Sequence, residues 1–215
     1  IKVIRYFLIL SILFIVSCLV VLQFSLFSED LGPGEITGSV NTPEFIADKK
    51  NRQLAAFNSL NENSTKQILF GDLHVHSTFS ADAQMMSLPI TGGNGVHPVA
   101  DACDFARHCS ALDFWSINDH AEASTPKRWQ ETKETIRKCN ALNLDPANPD
   151  CVAFLGWEWT QVGVIRANHW GHHNVILKEE DDNLVPPRAI ASLSITRQAM
   201  TTRPLLPQTI FPFVD

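Results

Sequence analysis

His74 and His76 stand one residue apart in Gly71-Asp72-Leu73-His74-Val75-His76, directly after the apolar run Ile68-Leu69-Phe70. On an extended backbone side chains alternate with period two, so both imidazoles leave the same side. Two imidazoles at the end of a buried strand can grip a metal ion. An H-x-H pair alone is a weak signal, but three groups accompany it. Asn118-Asp119-His120 follows a second apolar run, Trp157-Glu158-Trp159 follows a third, and His169, His172 and His173 precede a fourth. Imidazoles mixed with a carboxylate suit zinc, manganese or iron. Burying Glu158 between two tryptophans would be costly unless a cation compensates it. Asp72 and Asp119 are placed to orient ligand imidazoles from behind. His74 and His76 can share one ion only if the strand end is splayed.

The elements that must position these residues follow from hydrophobic period and turn chemistry. Strands are expected over residues 67–74, 111–118, 151–157 and 173–177. A helix is expected from Pro98 to about Ser110, with Val99, Ala102, Cys103, Ala106 and Cys109 at helical spacing, and another from Pro126 to about Ala141. Residues 44–60 and 189–202 are further helical candidates, and 77–97 reads as a long loop. Alternating strands and helices predict an α/β fold of βα units with a mainly parallel sheet or barrel. Chemistry in such folds sits at the C-terminal strand ends. His74, His76, His120 and Glu158 fall there, whereas His173 opens its strand and must reach over from a loop.

Tyr6 to Phe27 is an uncharged apolar run that would span roughly 33 Å as a helix, enough for a bilayer core. Lys2 and Arg5 precede it and Glu29 and Asp30 follow, which puts the rest of the chain outside the cytoplasm. Residues 1–27 therefore read as a transmembrane signal anchor. A lipoprotein signal, from the box Ile15-Val16-Ser17-Cys18, and a cleaved signal are the competing readings. Residues 28–66 read as a linker and N-terminal extension, and 67–215 as the chemical domain. Setting aside Lys2 and Arg5, 15 basic residues face 23 acidic ones. No basic stripe is present, which disfavours nucleic acid as a partner.

Cys103, Cys109, Cys139 and Cys151 lie beyond the apolar run. Cys139 and Cys151 flank a turn-rich stretch and could staple it. Cys103 and Cys109 share one helix at a spacing that forbids a bridge between them, and burial is their simplest role. The five tryptophans could supply an aromatic wall for a sugar or another flat group, or simply pack the core.

"GDLHVHSTFSAD", "HPVADACDFARHCSALDFWSINDHAE", "FLGWEWT" and "GHHNVIL" resemble, in order, four motifs of the PHP (polymerase and histidinol phosphatase) superfamily. "GWEWT…GHHNVI" is closer still to a bacterial branch known as domain of unknown function 3604. The resemblance covers about half the chain. It implies a distorted (β/α)7 barrel holding two or three divalent ions and hydrolysing phosphate esters with a metal-bound hydroxide. Carried over residue by residue, His74, His76, His120, Glu158 and His173 would be metal ligands, with Glu158 bridging. Asp82 would be one more, although Ala81 separates it from the serine that the superfamily's acidic residue usually follows. Asn118 replaces a customary threonine. The superfamily's late D-x-H motif has no match after His173, which implies an incomplete barrel and an N-terminal fragment. A small anionic ester would be the substrate, handled on the periplasmic or extracytoplasmic side of a bacterial inner membrane. A non-catalytic metal- or ligand-binding module, a sulfate-ester hydrolase and an amidohydrolase-type enzyme remain as alternatives. The last would need Lys178 as its bridging lysine.

Overall fold

The computed structural model describes residues 2–26, 32–60, 68–87, 97–161 and 166–192. The helical candidate at 189–202 lies mostly outside them. In chain order the elements are α1 (Lys2–Leu26), α2 (Pro43–Asn58), β1 (Gly71–Val75), α3 (Ala81–Ser87), α4 (Val99–Asp104), β2 (Phe114–Ile117), α5 (Pro126–Asn140), β3 (Val152–Gln161) and β4 (Gly171–Leu177). A π-helical turn, Phe105–Cys109, continues α4, and a 3₁₀ turn, Arg166–Asn168, precedes β4. The fold is α/β, and its four strands lie in the order β1-β2-β3-β4.

Among the described residues the expected barrel of parallel βα units does not form. β1, β2 and β3 are parallel, but β4 runs antiparallel to β3, from Gln161 opposite Gly171 to Leu155 opposite Leu177. The reason is chain length. Residues 162–170 join β3 to β4, and a parallel return needs a crossover of a dozen or more residues. The result is a mixed, curled sheet. Asn174 of β4 donates to the Leu73 carbonyl of β1 at 2.9 Å, across the two edge strands.

The membrane anchor is also corrected. Among the described residues no helix is long and apolar enough to cross a membrane. The periplasmic, single-pass placement rested on that anchor and falls with it.

Local rules account for the elements that frame the sheet. Thr125 caps α5 by accepting the Arg128 N–H at 3.2 Å, and Pro126 supplies the pre-set first turn. Thr42 and Pro43 do the same for α2. α5 covers one face of the sheet through Trp129, Ile136 and Cys139, against Trp115, Leu155 and Trp157. Trp129 and Trp157 meet edge to face at 5.7 Å. Three of the five tryptophans are therefore core. Gly156 is required by close approach, because a Cβ there would stand 2.5 Å from the Val175 carbonyl of β4.

The disulfide differs from the expected pairing. Cys103 of α4 bonds Cys139 of α5, while Cys109 is exposed and Cys151 is a buried free thiol. Helix packing, not loop proximity, brings the bonded pair together. Burial pushes the Cys151 thiol up to about 11, so it stays protonated.

Part of the supposed linker is pinned. Pro33 accepts the Ala100 N–H at 2.9 Å, and Thr37 and Gly38 donate to Asp104. Lys49 of α2 reaches the Asp113 carboxylate at 2.8 Å and the Leu112 and Asp150 carbonyls. This segment closes the N-terminal end of the parallel strands and leaves their C-terminal end open.

Candidate metal centre

The open end gathers His74, His76, Asp82, His120 and Glu158. His74 lies in β1 and His76 directly follows it, and the register of β1 against β2 shifts between Asp72 and Val75. That irregularity is the splay the pair needs: their rings lie 4.9 Å apart, and both Nε2 atoms reach the same oxygen of Glu158. His74 Nε2 stands 3.1 Å and His76 Nε2 3.0 Å from Glu158 Oε2. His120 follows β2, and its main chain bridges to Glu158 of β3 through the Ala121 N–H to Glu158 carbonyl bond, 3.0 Å. Its Nδ1 lies 3.8 Å from Glu158 Oε1 and 2.8 Å from Thr160 Oγ1. Asp82, near the start of α3, reaches in from above, with Oδ2 at 3.2 Å from His120 Nε2.

His173 does not join them, and His172 does. In the antiparallel register Thr160 faces His172 and Trp159 faces His173. Side chains on neighbouring residues leave opposite faces. His172 Nδ1 therefore meets Glu158 Oε1, beside Thr160 Oγ1 at 3.2 Å. His173 lies on the other face, its ring tilted against Trp159 with centroids 5.7 Å apart and bonded to the Trp170 carbonyl.

Among the described residues three overlapping groups result, each of which could hold a metal ion: His74, His76 and Glu158; His76, Asp82 and His120; His120, Glu158 and His172. Glu158 is 2% exposed and belongs to two of them. Burial raises its carboxyl, but the His74 hydrogen bond, His120, His172 and His76 outweigh this and hold it below its ordinary value. Burial likewise raises Asp82, and the Ala83 N–H with His120 and His76 brings it below the usual range. Burial pushes Asp119 up, against hydrogen bonds from Ser77 and Ser80.

Other sequence candidates fall outside the cluster. Asp72 caps the His74 N–H at 2.9 Å instead of an imidazole. His97 pairs with Asp101 at 3.5 Å. Lys178 is exposed beside Glu179, remote from a bridging role. Thr160, which bonds His120, Glu158 and His172, has no metal-ligand signature in sequence, because a hydroxyl carries none. Comparison with protein-family models, curated proteins and solved structures finds no match for this chain.

Proposed function

We propose that the chain forms the metal centre of a metal-dependent hydrolase acting on phosphate esters, in keeping with its resemblance to the PHP superfamily. One observation carries the reading. Glu158, a buried carboxylate, has imidazoles on both oxygens and no lysine or arginine among its ion-pair partners in the described residues. An imidazole nitrogen and a carboxylate oxygen 3 Å apart need a proton or a cation between them.

His74 and His76 would hold one ion with Glu158 Oε2, and His120 and His172 a second with Oε1. Asp82, with His76 and His120, forms a third group that would draw on the same imidazoles, so it is an alternative place for an ion and not an addition to the first two. Zinc, manganese and iron suit this mixture of nitrogen and oxygen donors. When bound, such ions lower the pKa of water and draw off charge that builds on an ester's oxygens. The protein's own part is to fix the donors and leave access. Glu158 is anchored by its N–H to the Asp119 carbonyl at 3.0 Å. His74 and His172 are about half exposed, so an anionic ester can approach from that side.

The test is metal analysis of the full chain after dialysis against zinc or manganese, followed by a screen of phosphate and sulfate esters. Stoichiometric metal and phosphate-ester hydrolysis, both lost in a His74→Ala/His76→Ala variant, are expected. Undiminished metal in that double variant would sink the site. Metal without hydrolysis would instead identify a binding module, and turnover of sulfate esters alone would change the substrate class.

A further inference from the structure

We propose that the cavity along β1 binds the alcohol part of the ester, which makes the substrate class a phosphate monoester with an extended hydrocarbon body. The substrate assignment rests on the metal-dependent hydrolase reading, but occupancy of the cavity can be tested without metal.

The cavity has a volume of about 1270 Å³ and is lined by β1 and by α4 with its π-helical turn. Its wall is mostly apolar, formed by Val75, Ala102, Phe105, Ala106, Leu112 and Trp115. Phe105 is 60% exposed, a large ring left beside water in this recess. The carboxylates of the wall are already engaged. Asp72 accepts the His74 N–H at 2.9 Å, Asp101 pairs with His97 at 3.5 Å, and Asp104 accepts from Thr37 and Gly38. Hydrocarbon is therefore the chemistry that the wall suits. The cavity runs the length of β1, from Gly71 and Leu112 at the closed end to His76 and His97 at the open one. It exceeds the range of about 300–1,000 Å³ usual for drug-sized ligands, so a small alcohol would leave most of it to water.

His74 and His76 belong both to this cavity and to the candidate metal centre. The backbone explains how. Paired residues of neighbouring strands leave the same face of a sheet, and Asp72 pairs with Trp115 while Val75 pairs with Ile117. Three steps along β1 against two along β2 turn Val75 to the Trp115 side. The irregularity that splays the two histidines thus also completes the apolar wall. Opposite, α4 passes into the π-helical turn Phe105–Cys109, and Ala111 takes a left-handed conformation with φ 48°. The Leu112 N–H then returns to the Ala106 carbonyl at 2.8 Å, which sets Phe105, Ala106 and Leu112 into one wall. Both departures from regular geometry fall in the stretch that lines the cavity, and such departures collect at ligand sites. A phosphate held at the imidazole end would lead its alcohol down the groove beside Val75 and Phe105.

The experiment titrates the full chain with n-alkyl phosphates from methyl to octyl, in chelator and with zinc chloride, and follows the methyl signals of Val75, Ala102 and Ala106 by NMR. Octyl phosphate is expected to shift all three signals in both conditions. Affinity should rise about three- to fourfold per methylene until the cavity is filled. Phe105→Ala, at an exposed ring, should weaken octyl phosphate about tenfold and flatten the dependence on chain length. Unmoved signals, or an affinity that ignores chain length, overturn the proposal. Zinc-dependent turnover of methyl phosphate would then leave the hydrolase reading standing. Nuclear Overhauser contacts from these methyls to polypeptide other than the wall and the core behind it, in the ligand-free protein, would also overturn the proposal. The cavity would then be filled by another stretch of this chain or by a second copy. Octyl phosphate seated in a protein that takes up no zinc supports the apolar site and overturns its assignment to a hydrolysed ester.

Discussion

Asp150 and Glu158 are buried carboxylates at opposite ends of β3, and their surroundings differ in kind. Asp150 meets Arg107 through both oxygens at 3.2 Å, and Asn41 donates to it at 2.6 Å. Its N–H goes to Asn143, and its carbonyl receives Lys49. Among the described residues, Arg107 pairs with Asp150 there and Lys49 with Asp113. The Glu158 carboxylate, among the same described residues, meets only imidazoles and the Thr160 hydroxyl. A closed network serves stability, whereas one whose neutralisation is left to protons or an added cation is suited to chemistry.

The largest expected effect comes from opening the closed end. Arg107→Leu leaves Asp150 as an unpaired buried charge and should cost about 3–5 kcal/mol in denaturant unfolding, with or without chelator. Glu158→Gln keeps shape and hydrogen-bonding capacity. It should cost far less in chelator, while zinc no longer stabilises the variant. Equal losses in chelator would show that the two ends do not differ. Next comes the disulfide, which joins α4 and α5 near Arg107 and closes a separation of 36 residues. A Cys103→Ala/Cys139→Ala variant should lose about 2–4 kcal/mol yet keep its zinc affinity. A parallel fall in zinc affinity would mean that the ends are coupled.

The same contrast explains what could be read from the sequence. His74, His76, His120 and Glu158 were legible because each ends or follows an apolar strand, and strand ends are marked by composition. The direction of β4 was not. Apolarity marks a strand without marking its sense, and only the short 162–170 connection hints at a hairpin. Nor was strand parity legible. Val175, Ile176 and Leu177 are all apolar, so no alternation says which of His172 and His173 faces the core, although Val175 and Leu177 prove to be the core-facing pair. A one-residue error of that kind moves a side chain to the opposite face. Arg107, Asn143 and Asp150 were invisible as a network because their union depends on helix docking across long separations.

Parity gives the third expected effect. His172→Ala removes a direct contact to Glu158 and should lower zinc affinity by more than about tenfold, since even indirect partners cost that much. His173→Ala removes a tilted ring contact with Trp159 and should leave zinc titrations unchanged. The reverse result would place β4 one residue out of its register.

The smallest effect concerns a carboxylate depressed for the opposite reason to Glu158. Asp182 is held at about 2 by hydrogen bonds from Arg137 and Lys133, permanent cations of α5. A folded carboxyl below its unfolded value near 3.8 stabilises the protein fully above that value and loses the contribution as pH falls through the folded one. The window is therefore about pH 4 down to about 2. Asp182 is exposed, so salt screens the effect and it is small. Melting temperatures of Asp182→Asn and the unsubstituted protein, both in chelator, should differ above pH 4 and converge towards pH 2. Zinc should not alter that gap. For Glu158 it should, because ligand imidazoles release zinc when they take up protons. A zinc-dependent gap at Asp182 would erase the distinction between carboxylates that the chain neutralises itself and one that it leaves to an added ion.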